Sequence, residues 1–124
     1  MNRNMFLIIA AVITALFGIA LLLAPGQLAA TYGTTLNPGG TVIARIGGST
    51  LIALAWVIWG ARNGPGAEAM QAVLVAGLIA NVLDLLISGQ ATMNGVIGYG
   101  IGWATVVLHL VLGAGFGYFA FVKR

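Results

Sequence analysis

Residues 5–24 read MFLIIAAVITALFGIALLLA, an uninterrupted apolar run closed by Pro25-Gly26. At 1.5 Å per residue such a run makes a helix about 30 Å long, the thickness of the hydrocarbon core of a bilayer. A secretion signal carries a shorter apolar core of about 7 to 15 residues and a small-x-small cleavage site. Here Leu28 occupies the first small position of Leu28-Ala29-Ala30, so the run reads as a retained span.

Three more runs follow, from Thr41 to Gly60, Ala69 to Ser88 and Val96 to Phe121. Helix-breaking residues separate them: Asn37-Pro38-Gly39-Gly40, Asn63-Gly64-Pro65-Gly66, and Ser88-Gly89-Gln90 with Asn94-Gly95. Of the 124 residues, 60% are hydrophobic and only 6% charged, against roughly 25% charged in soluble domains. The expected fold is all-α: a single integral membrane domain, residues 1–124, forming a four-transmembrane-helix bundle with spans at 5–24, 41–60, 69–88 and 96–121. The connections leave no room for an aqueous domain, and no internal repeat is visible.

Arg3, Arg62, Lys123 and Arg124 lie outside the spans and all fall on one side, while the opposite connections, 25–40 and 89–95, carry no charge. The positive-inside rule then predicts cytoplasmic N- and C-termini. Trp56 and Trp59 near the inner boundary, with Tyr32 and Tyr99 near the outer one, fit interfacial anchors. The net charge of +3 is topological rather than a nucleic-acid patch. The absence of cysteine excludes disulfides, thiolate nucleophiles and Cys-ligated metals.

In lipid, helices meet where small residues allow close backbone approach. The expected contact rows are Arg45, Ser49 and Ala53 in the second span, Ala72, Ala76, Ala80 and Asp84 in the third, and Gly98, Gly102, Thr105, His109 and Gly113 in the fourth. The first span, with little polar content beyond Thr14, is expected to be peripheral and lipid-facing. The pairs Gly98/Gly102 and Gly113/Gly117 offer surface for self-association or for docking on a larger membrane complex.

Ionisable residues inside spans cost about 2.5 to 3.5 kcal/mol each to insert, so each needs a reason. Arg45 and Asp84 each lie four residues inside the outer end of their span, about 6 Å deep. Equal depth and opposite charge predict a pair between the second and third helices. That pair either fixes helix register alone or lines a polar cavity that Asn81 extends inward, with Arg45 binding an anionic or carbonyl group. His109 is expected about 18 Å deep, past the midplane and out of reach of Arg45 and Asp84. It is either a neutral histidine bonded to a neighbouring helix, a quinone or other ligand contact, or a haem or chlorophyll-type metal ligand. Ser49 and Trp103 are further candidate contacts.

No metal-ligand cluster and no catalytic residue is apparent. One His with two separated carboxylates makes no hydrolytic metal centre, and no G-x-S-x-G occurs. Small multidrug exporters need a carboxylate in the first span, which is missing here. Small fluoride channels work as inverted dimers with little topological bias, unlike this chain.

Leu22-Leu23-Ala24-Pro25, Tyr32-Gly33, Ala44-Arg45-Ile46-Gly47-Gly48 and Trp59-Gly60-Ala61-Arg62 resemble a group of small bacterial membrane proteins catalogued as domain of unknown function 4345, which look distantly like DoxX-type proteins. The resemblance covers the first two spans and implies a four-helix fold in a bacterial inner membrane. The wider DoxX group is linked to a quinone-reducing oxidoreductase subunit, and Arg45 alone aligns with a recurrent position.

Two functional expectations follow. One is a non-enzymatic bundle that binds a lipid- or quinone-type ligand or serves as an accessory subunit of a membrane complex. The other is a redox or transport component with a polar path through Arg45, Asp84, Asn81 and His109. The sequence itself requires no cofactor, and a quinone, haem or chlorophyll-type group would be contacted through His109.

Overall fold

The computed structural model describes residues 2–64 and 66–123. Met1, Pro65 of the break after the second span, and Arg124 of the basic C-terminus lie outside the described residues. Among the described residues the regular elements are all helical: α1 (Arg3–Leu23), α2 (Pro25–Thr31), α3 (Pro38–Ala61), α4 (Ala67–Met93) and α5 (Tyr99–Gly117), which continues into a π-helical turn, Tyr118–Val122. Four of them, α1, α3, α4 and α5 with its turn, are long and apolar enough to cross a membrane.

Local chemistry sets the ends, and it shifts three of the expected boundaries. Asn2 caps α1 by accepting the Met5 N–H at 2.8 Å. Beyond Ala24 the chain starts a new short helix, α2, with Pro25 in its first turn, where the expected connection had no structure. α3 begins at Pro38 rather than Thr41, because Pro suits the first helical position and Asn37 accepts the Gly40 N–H at 2.7 Å. α4 runs through Ser88-Gly89-Gln90 to Met93. The hydroxyls of Ser88 and Thr92 donate to the carbonyls of Asp84 (2.6 Å) and Ser88 (2.7 Å), so these polar residues stay within the helix. The chain turns instead at Asn94-Gly95, where Gly95 adopts a φ of +69°. α5 then starts at Tyr99 rather than Val96.

The chain divides into two compact units, Met1–Asn63 and Gly64–Arg124. In the first, α1 and α3 pack as an antiparallel hairpin, with α2 against both. They approach most closely at Gly18 and Gly48: a Cβ on Gly48 would sit 2.7 Å from both the Gly18 carbonyl oxygen and the Leu22 amide nitrogen. Within this unit the expected α3 row is not the contact face: Arg45, Ser49 and Ala53 are exposed, and α3 buries Gly48, Ala55, Ile58 and Ala61 instead. α1 buries Phe6, Leu7, Ala10, Ala11 and Gly18 and leaves Ile8, Ile9, Val12, Leu16 and Ile19 exposed. The reason for the choice of face is geometric. Backbone contact rewards a missing side chain at one point and smooth packing either side of it, not polar content.

In the second unit α4 packs along α5 and the π-helical turn. Phe116, 1% exposed, lies over Gly77, where a Cβ would come within 2.5 Å of its ring. Thr92 occupies the space above Gly102 in the same way. Of the expected α5 row, Gly102 and Gly113 are buried and Thr105 and His109 half-buried, while Gly98 precedes the helix as its N-cap and is exposed. The α4 row does not. Ala72, Ala76 and Asp84 are exposed, and the contact face is Met70, Leu74, Gly77 and Thr92.

Gly48→Ala should therefore lower the stability of the detergent-solubilised protein by about 1–3 kcal/mol, the usual cost of overpacking. Gly47→Ala, which meets nothing within 4 Å, should leave it unchanged or slightly raised. Thermal unfolding of the two variants side by side checks this.

Candidate functional site

The polar residues of the second unit converge on one imidazole. Asn81 and Gly77 are one turn apart on α4, and the Asn81 amide Nδ2 donates to the Gly77 carbonyl at 2.8 Å. That bond orients the side chain so that Oδ1 faces α5, where it lies 3.0 Å from His109 Nδ1. Gly113, one turn beyond His109, lets α5 approach here: its Cβ position is 3.4 Å from Asn81 Cβ. Asp84, one turn further along α4, places Oδ2 3.9 Å from the same Nδ1.

The donor and acceptor roles follow from this chain of bonds. With its NH2 group turned to Gly77, Asn81 presents an oxygen to His109, so Nδ1 carries the hydrogen and donates. In the neutral ring Nε2 is then the unprotonated nitrogen. It is able to accept a hydrogen bond from a hydroxyl, to take up a proton, or to ligate a metal. The Asp84 carboxylate, at 3.9 Å, is too far for a hydrogen bond. The His109 side chain is 22% exposed and that of Asp84 52%.

This juxtaposition corrects the expected depth of His109. Asp84 and His109 were expected about 12 Å apart along the membrane normal. Because α4 extends to Met93 and α5 begins only at Tyr99, Asp84 lies nine residues from its helix end and His109 ten. At 1.5 Å per residue both lie about 14 to 15 Å along their helices from the connection that joins α4 to α5.

Arg45 and Ser49 belong to the first unit, on the exposed side of α3, and the Ser49 hydroxyl donates to its own helix at the Ile46 carbonyl, 2.8 Å away. Trp103 is exposed on α5 and meets Tyr99 edge-to-face at 6.0 Å. Gly77 and Phe116 were not foreseen as supports of the site. Gly77 lies four residues before Asn81, which is a readable signal, whereas Phe116 was one aromatic among many. Among the described residues no three His, Cys, Asp or Glu side chains gather as metal ligands.

No family model, no curated protein and no solved structure matches the chain.

His109 is the sole histidine, so its ring nitrogens give unambiguous 15N resonances. In the neutral form the proton should reside on Nδ1. Asn81→Leu should abolish that tautomer preference while leaving the helical circular dichroism unchanged.

Proposed function

We propose that this chain is a bacterial inner-membrane protein, multi-pass with both termini cytoplasmic, that binds an amphipathic ligand of the lipid or quinone type through His109. The observation that supports the reading is the Asn81–His109 bond, which turns Nε2 into the reactive nitrogen of the ring and holds it half-buried on a helix face. A quinol hydroxyl or a lipid hydroxyl donates to Nε2. A quinone carbonyl accepts from it once the ring is protonated. The apolar tail of such a ligand finds ample company in the uncovered side chains of α4, including Ile79, Val82, Leu83 and Leu86.

The orientation rests on Arg3, Arg62 and Lys123 at the helix ends. The kinship proposed with domain of unknown function 4345 rests on the motifs around Pro25, Arg45 and Trp59. The protein itself need not turn over substrate. Short connections and a single histidine suit a ligand-carrying or accessory role, with self-association through its glycine-rich faces. A redox or transport role is the second reading, in which Asp84, 3.9 Å from His109 Nδ1, extends a polar path along α4 and α5 with Asn81.

Extraction in mild detergent followed by native mass spectrometry and absorption spectroscopy tests this. The wild-type protein should carry a quinone or lipid that His109→Ala loses about tenfold, the worth of one hydrogen bond in a desolvated site. Asn81→Leu should weaken retention to a lesser degree. Equal retention by wild type and His109→Ala would remove the reading.

A further inference from the structure

Arg3 opens α1 and Arg62 follows α3. The antiparallel pairing set by Gly18 against Gly48 brings Leu7 level with Ala61, both buried, and returns Arg3 and Arg62 to the same end of the first unit within about one helical turn. Two arginines so placed need counter-charges, and this unit has none to give. The two acidic residues of the chain, Glu68 and Asp84, both lie beyond Asn63.

The arginines are also unsatisfied. The Nε atoms of Arg3 and of Arg62 are buried and have no hydrogen-bond partner. A buried donor on a charged group left unpaired is more costly than a neutral one. Arg62 is held in place nonetheless, its guanidinium carbon 4.2 Å from the centre of the Trp59 ring. Stacking fixes the plane of the guanidinium and leaves its hydrogen-bonding edges to another partner.

We propose that Arg3 and Arg62, with Trp59 as platform, form a binding site for a phosphate group, that of an acidic phospholipid headgroup. The fork of a guanidinium matches two phosphate oxygens at once. Phe6 and Leu7, buried within one turn of Arg3, place the site where an apolar span gives way to the headgroup layer. Arg62 keeps its plane on Trp59 and presents its edge to the oxygens, and rotation of the Arg3 side chain, a common adjustment on binding, brings its Nε–Nη edge to the same group.

The test is lipid retention by native mass spectrometry, with protein reconstituted in nanodiscs of equal parts phosphatidylcholine and phosphatidylglycerol. The wild type should retain phosphatidylglycerol selectively, and Arg62→Lys should lose about tenfold of that preference, because it keeps the charge but not the fork. Arg3→Gln should do the same, and Arg45→Gln, about 25 Å from Arg62 along α3, should not. Retention that survives millimolar inorganic phosphate supports the lipid headgroup as occupant. Retention abolished by it supports the same site with a soluble phosphate as occupant. Unchanged selectivity in both Arg62→Lys and Arg3→Gln, or an equal loss in Arg45→Gln, overturns the proposal. Thermal unfolding of each variant in the same discs separates loss of binding from loss of fold.

Discussion

Backbone contact between Gly18 and Gly48 is the constraint on which the first unit depends. Apolar side chains gain little by leaving lipid tails for one another, so two hydrophobic helices adhere only where their surfaces fit closely. A methyl group at either glycine would fall within 3 Å of backbone atoms of the opposing helix. That one meeting point sets the register of the hairpin, and the register in turn decides which residues share its ends. In the second unit the equivalent point is Phe116 against Gly77. It rotates α4 so that Asn81, one turn further on, faces α5 at the level of His109.

Most polar side chains in the helices satisfy themselves at home. Thr50, Ser88, Thr92 and Thr105 each donate to a carbonyl four residues earlier, and Ser49 to one three residues earlier. An unpaired hydroxyl in hydrocarbon is costly, and these local bonds remove that cost within the helix. Asn81 differs because its side chain has both a donor and an acceptor. The donor is used within α4, which leaves the acceptor for α5. A two-sided side chain is what joins the helices by polar contact.

The four apolar helices were legible because about 20 uncharged residues in a row have few other stable forms, and Asn81, Asp84 and His109 stood out because an intramembrane polar group is rare. What was not legible was which of them meet. Ser88-Gly89-Gln90 reads as a break, yet its hydroxyl and its neighbour's are absorbed by the helix, and a helix longer by five residues moves Asp84 to the depth of His109. Helix faces were misjudged in a similar way. Rows of alanine and serine recur on several sides of α3 and α4, and composition gives no means of ranking them. A single glycine under Phe116, or facing another glycine, decides the matter by geometry.

Each unit is a hairpin whose defining contacts are internal to a contiguous stretch of chain. The first 63 residues therefore contain the contacts by which α1 and α3 adhere, and residues 64–124 those by which α4 and α5 do. Either hairpin can form from its own stretch of chain without waiting for the other, so its closing contacts span short sequence distances and cost little loop-closure entropy.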